Sequence, residues 1–391
     1  MLRFVVFDKA RSRLGWVQAG DPSRPVLKSA RAVLRHNALS QAEFTVDADH
    51  HLVAALATPG ARVVVEYRPL GGAWRREFSG PVRAVQGAGS PSTRTFTVGD
   101  DLAVLWDLVA WPVPSAAITA QADAYWRSSG VAESVVKAIV SANAGRYAQP
   151  ITTAPDLARG STVNVSARMV PLADVLFPKV DQAGIGVTAI LAEDGSSIVV
   201  DCYEKRVHTV ALSDRSGVIT GDTSYSVAAP TVTRVVVGAG GEGEARYFQE
   251  YVNTARESGW GVVREVFRDA RDISASLVEE PDRDALMAAR AEETIAEGAE
   301  VASLSLQLAE TDHFRYGSAV LLGDIVQASV AGGPVLTDTV REVEISQTPD
   351  DGVSVTPRVG DRASDPDNPD ARLVKAVMAM GKGIRNLNAG R

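Results

Sequence analysis

A single cysteine, Cys202, stands in a chain of 391 residues. It excludes any internal disulfide, and its place in the run Ser197 to Tyr203 points to a buried, inert thiol. No apolar run approaches the roughly 18 residues that cross a membrane. The start, Met1 to Lys9, is too short and too soon charged for a signal peptide and reads as a first strand. Positive charge is also scarce: 40 Lys and Arg stand against 48 Asp and Glu, for a net charge of −8. A duplex-reading protein needs a basic face, so nucleic-acid recognition is disfavoured. His50 and His51 are adjacent, but neighbours in sequence face different ways and no third ligand is spaced nearby, so they predict a surface turn, not a metal site. What remains is an ordinary globular composition, 45% hydrophobic and 23% charged, long enough for two or three domains.

The most ordered pattern lies at Ile325 to Asp361. Val326, Ala328 and Val330 alternate with polar residues, Gly332-Gly333-Pro334 reverses the chain, Val335 to Ser346 follows, and Asp351-Gly352 leads into Val353 to Arg358. This predicts an antiparallel three-stranded meander. Val340 and Val343 are out of phase, which predicts a bulge in the middle strand. An earlier stretch has the same layout: Ala61 to Tyr67, a Gly71-Gly72 turn, Trp74 to Val85, a loop, then Thr95 to Asp100. Val82-Arg83-Ala84-Val85 matches Val340-Arg341-Glu342-Val343, and both copies close on Val-Gly-Asp. The repeat implies two related β-barrels or sandwiches in one chain.

The fold class expected is mainly β with α+β insertions: two barrel or sandwich domains and a small α+β domain. Residues 1–105 form the first β domain, with a helical turn near His51 to Ala57. Residues 106–225 are the α+β insertion. In it Val131, Val135, Ile139 and Ala142 share a helical face, and Leu172 to Ala183 is a second helix that Pro178 should kink or end early. Residues 226–361 form the second β domain, with a helix at 283–297 capped by Asp282 and traced by Leu286, Ala289, Glu293 and Ala296. Residues 362–391 are a linker and a short helix. There Leu373, Val377, Met380, Ile384 and Leu387 form an a/d seam, a possible oligomerising helix or docking tail.

Three patterns invite chemistry and are weighed against it. Gly238, Gly240 and Gly243 satisfy G-x-G-x-x-G after a strand, with Asp269 downstream, yet Glu242 and Glu244 would meet a pyrophosphate with negative charge. Asp312-His313 has no nucleophile beside it. Glu279/Glu280 and Glu292/Glu293 are adjacent carboxylates, usually solvated, whereas a glycosidase holds two across a cleft. No catalytic residue, metal or cofactor is assigned.

Trp260-Gly261 opens a strand, Val262 to Phe267, that carries Arg264 and Glu265 and ends in Asp269, Arg271 and Asp272. Tyr316-Gly317 and Gly323-Asp324 precede the last meander. In these motifs, and at Val340-Arg341-Glu342-Val343 and Pro357-Arg358-Val359-Gly360, the chain resembles minor tail proteins of long-tailed siphoviruses. The phages concerned are especially those of actinobacterial hosts, and the proteins look like the hub at the tail tip. The resemblance implies a trimeric ring that closes the tail tube, adapts sixfold to threefold symmetry and anchors host-binding minor tail proteins. It further implies a distal tail protein and a tape measure protein as neighbours, DNA only in passage through an acidic lumen, and a place at the distal end of the virion's tail after synthesis in the host cytoplasm. The motif residues would then mark subunit interfaces. The alternative from another class is an envelope-directed carbohydrate-binding module or glycan-degrading enzyme.

Overall fold

The computed structural model describes residues 1–19, 26–89, 92–147, 150–213, 217–276, 283–311, 314–329 and 335–360. The seam residues Leu373, Val377, Met380, Ile384 and Leu387 lie outside these, as do Asp312-His313, Glu279/Glu280 and Asp282. The chain divides into a larger unit, 1–223 with 305–391, and a smaller one, 224–304.

The larger unit opens with β1 (Leu2–Phe7), β2 (Arg13–Gln18), β3 (Leu27–Arg35), β4 (Gln41–Asp47) and a short α1 (Val53–Leu56). The first meander follows as β5 (Arg62–Tyr67), β6 (Arg75–Gly89) and β7 (Ser92–Val98). Alternation decides which face is covered: Phe44 of β4 stacks on Phe4 at 4.2 Å and on Phe96 at 5.4 Å between ring centroids. Polar neighbours such as Glu43 face the other way.

The insertion then runs through α2 (Val104–Asp107), β8 (Trp126–Val131), α3 (Ala132–Ala144), β9 (Ile151–Thr153), β10 (Thr162–Ala167), α4 (Leu172–Gln182), β11 (Ile185–Leu191) and β12 (Ile198–Glu204). Val135, Val136, Ile139 and Val140 of α3 pack against Leu172, Leu176 and Val180 of α4 in one core that also holds Cys202. Pro178 does not end α4, which continues to Gln182, because the buried Leu176 and Val180 on either side hold the helix against α3. β11 pairs with β12 as the expected hairpin, and Leu191 at its end joins Val5, Phe7 and Val64 under the large sheet.

β13 (Val207–Ser213) and β14 (Ile219–Ala228) lead into the smaller unit: β15 (Arg234–Gly238), β16 (Phe248–Val252), α5 (Thr254–Trp260), β17 (Glu265–Asp269) and α6 (Arg283–Glu297). There β15 is central, antiparallel to β16 and parallel to β17. The helix expected at 283–297 is α6, but its buried residues are Met287 and Ala291, with Leu286 and Ile295 half-covered. The trace through Ala289, Glu293 and Ala296 is therefore rotated off the core.

The chain closes with β18 (Val301–Leu308), β19 (Ile325–Ser329), β20 (Val335–Thr348) and β21 (Gly352–Val359). The two meanders match in detail. The N-terminal half of β6 pairs with β5 and its C-terminal half with β7; β20 divides between β19 and β21 in the same way. Register shifts fall between Val82 and Ala84 and between Val340 and Glu342, so Arg83 and Arg341 are the extra residues of equivalent bulges. Gly99 N donates to Pro81 O and Gly360 N to Thr339 O, each at 3.0 Å.

Candidate assembly surface and signature residues

The sheet order is β14-β18-β21-β20-β3-β4-β7-β6, then β5-β1-β2. Its first eight strands are one four-strand arrangement used twice: β14, β18, β21 and β20 correspond to β3, β4, β7 and β6. The copies join where β20 pairs with β3, from Glu342↔Arg35 to Gln347↔Ala30. The corresponding joint on the other side would match β6 with a β14, and among the described residues both strands present that edge unpaired. Side chains record the difference. Val343 is fully covered, whereas its counterpart Val85 is 41% exposed.

Directly paired residues project from one face. On the face opposite Phe44 stand Arg31, Arg35, Glu43, Glu342, Glu344 and Arg358, among Ser29, Thr45, Thr95, Thr97 and Thr356. Arg31 meets Glu344 at 2.7 Å and Arg35 meets Glu342 at 3.1 Å. Arg358 reaches Glu342 at 3.6 Å and Glu344 at 3.4 Å, and Lys28 meets Asp47 at 3.0 Å. The charges of this face are thus paired with one another across neighbouring strands.

Within the larger unit the turn between β3 and β4 plugs into the insertion. Asn37 takes a left-handed φ of 50°. Its Oδ1 accepts from Val187 N at 3.0 Å, while its Nδ2 donates to Ile185 O at 3.3 Å. The buried His36 ring bonds Tyr203 OH at 2.7 Å and Asp181 Oδ1 at 2.9 Å. Lys205 and Arg341 reach the same carboxylate at 2.6 and 3.2 Å. Burial pushes His36 below its ordinary value and outweighs its bond to Asp181. Burial also opposes the Asp181 charge, but His36, Arg341 and Lys205 together hold its carboxyl far below the usual range.

Both depressed values give stability that is complete above the unfolded pKa and fades as pH falls. The His36 contribution is whole above about pH 6.5, and that of Asp181 above about pH 3.9. Acidification from pH 7 to 5 is therefore expected to raise exchange at the Val187 amide relative to core amides of β5, once intrinsic rates are removed. Equal protection at both pH values would contradict this assignment.

Four signature residues gather beside this joint. Tyr316 is buried and donates its hydroxyl to Glu77 Oε2 at 2.9 Å, while its N–H donates to Glu310 Oε1 at 2.9 Å. Burial pushes both the phenol and Glu77 upward. Gly317 and Gly323 take φ of 85° and 87°. At Gly323 a Cβ would lie 2.7 Å from Tyr203 and 2.8 Å from His36, so Gly323→Ala is expected to cost about 1–3 kcal/mol in a urea titration. Burial resists the Asp324 charge, but bonds from Arg206 and His208, the latter at 3.0 Å, and from Leu321 N at 2.7 Å keep its carboxyl below the usual range.

The remaining signature residues belong to the smaller unit. Trp260 ends α5 and is 36% exposed, and Gly261 caps the helix at φ 64° with its N–H on Glu257 O at 2.8 Å. Arg264 acts through its backbone: its N–H donates to Thr233 Oγ1 at 2.8 Å and its carbonyl accepts from Thr233 N at 2.9 Å. Glu265 is exposed at the start of β17. Asp269 pairs with Arg246 and, at 3.5 Å, with Arg271; Asp272 meets Arg290 at 3.1 Å. These charges thus have partners inside their own unit. The glycine-rich segment leads into a short turn and β16, so it does not open a helix as a dinucleotide-binding loop would.

Sequence reasoning missed the open β6 edge, the His36–Asp181 joint and the ion pairs of β3 with β20, since their partners are separated by 100 residues or more. The one available signal was the repeat itself, which carries the bulge arginines.

A family model described as Siphovirus ReqiPepy6 Gp37-like protein matches residues 4–361. In fold the chain is similar to the prophage tail protein gp18 from Listeria monocytogenes EGD-e, with TM-score 0.51 and 10% identity over 96% of this chain and 99% of that one. It is also similar to the 43 kDa tail protein of prophage MuSo2 from Shewanella oneidensis, with TM-score 0.50 and 13% identity over 94% and 99% of the two chains. No curated protein matches it.

Proposed function

The chain belongs to the Siphovirus ReqiPepy6 Gp37-like protein family, a family of siphovirus tail proteins, and from that premise we propose that it is the structural hub of the tail tip. The observation that carries the reading is the repeated four-strand arrangement with one joint filled, β20 on β3, and the matching edges β6 and β14 left open among the described residues. A head-to-tail contact between identical chains closes into a ring when its rotation allows. Three chains with two copies each supply six equivalent positions, which lets a threefold tip sit on a sixfold tube. The hub's role is mechanical: it closes the tube, seats the distal tail and tape measure proteins, anchors host-binding tail proteins and lets DNA pass on ejection. Its place is the distal end of the tail, after synthesis in the host cytoplasm, and the role is non-catalytic. The signature residues of the larger unit serve it by locking the insertion to the sheet. The exposed strand β17 is offered to neighbouring tail proteins.

Light scattering on the purified protein tests the reading, with negative-stain images of the same peak. A mass of three chains and a central hole are expected. A monomer at high concentration that still fails to form rings when the other tail-tip proteins are added would overturn it.

A further inference from the structure

We infer that the open face of the eight-strand sheet is a sliding surface for duplex DNA, and that Glu342 and Glu344 are what keep it from gripping. The inference rests on the hub reading for the presence of DNA, but its chemistry is carried by the face itself. Arg31 and Arg35 on β3 and Arg358 on β21 flank β20, which lies between them and carries Glu342 and Glu344. Alone they would be a phosphate-binding cluster, because arginine forks match phosphate oxygens and neutralised phosphates release counter-ions. Each of the three is instead engaged by Glu342 or Glu344 at 2.7 to 3.6 Å. A phosphate would have to displace a carboxylate already in place, so little is gained on contact.

The rest of the patch supports the same property. Thr45 and Thr95 bond to each other at 2.8 Å, and Lys28 is held by Asp47. Hydroxyls bonded within the protein and paired ions offer DNA weak, exchangeable contacts. The Arg31 and Arg35 side chains are 60% and 39% exposed, and pairs with one partner this open contribute little to folding.

The experiment is fluorescence anisotropy of a labelled 20-base-pair duplex with the full-length chain, wild type against Glu342→Gln/Glu344→Gln. Wild type is expected not to bind at 50 mM salt. The double variant is expected to bind, and three freed arginines give a log–log salt slope of about −2.7, so affinity falls roughly 40-fold between 50 and 200 mM salt. A further change of Arg31 and Arg35 to Gln in that background should abolish the gain. Binding by wild type, or no binding by a double variant whose thermal melt matches wild type, would overturn the inference. The single variant Glu344→Gln serves if the double does not fold, with a weaker gain expected. Ring mass on the same samples, with the other tail-tip proteins added, separates the two readings: a ring that still fails sinks the hub, whereas an intact ring with an unresponsive face sinks only this inference.

Discussion

If the hub reading holds, Val85→Asp is expected to leave the protein folded and to abolish the proposed ring. Val85 and Val343 occupy the same place in the two meanders, three residues after the start of each bulge motif. Val343 is fully buried because β3 lies alongside β20; Val85 is 41% exposed because nothing lies alongside that half of β6 among the described residues. A carboxylate at 343 would be buried without a partner, a change that costs several kcal/mol, on the order of 4. A carboxylate at 85 remains solvated in the single chain, so its cost there should stay within about 0.5 kcal/mol. On the hub reading, position 85 is buried only when a neighbour's β14 pairs with β6. The asymmetry is then the result to look for: Val343→Asp unfolds at lower urea, whereas Val85→Asp matches wild type in urea but elutes at the mass of one chain. Rings that survive Val85→Asp would place the subunit contact elsewhere.

Legibility in the sequence followed the range of the interactions. Strand pairs closed by a few residues, such as β19 to β21 and β11 with β12, announce themselves because alternation and turn chemistry are both local. The bulge at Arg341 was legible for the same reason, since two valines out of phase cannot share a face without an extra residue. Rotation of α6 was not, because Ala289 and Met287 are both acceptable on a helix and only the covering sheet selects between them. The early end that Pro178 suggested did not come, because propensity ignores the packing on either side of it. The joint of β20 with β3 brings together residues about 300 positions apart, and no pattern in either strand names the other. The burial of Cys202 and the turn at His51 were legible in the same local way; Gly323, by contrast, was marked only by family likeness, and its reason is the pair of rings a Cβ would strike.

Glu133→Ala should cost about 3–5 kcal/mol and should act on the insertion alone. The Glu133 side chain is fully covered at the start of α3, where it accepts from Arg159 N at 2.9 Å, from its Nε at 2.8 Å and from its Nη2 at 2.7 Å, and also from Lys137. The Arg159 bonds outweigh burial and hold the carboxyl well below the usual range. With that shift the contribution is complete above about pH 4.3 and is lost only as pH falls toward the depressed value. Near neutrality the penalty is therefore undiminished. Removing the carboxylate leaves two covered cations sharing Asp201, which is 41% exposed and already engaged by both. Urea unfolding followed by hydrogen exchange in α3 measures the loss, and a cost below about 1 kcal/mol would show that the network is solvated and weak. Glu133 shares no partner with Val85, so the two substitutions should add. If the hub reading holds, Glu133→Ala at moderate urea loosens α3 and α4 while the ring persists, because the edges that close it belong to the large sheet and not to the domain it carries.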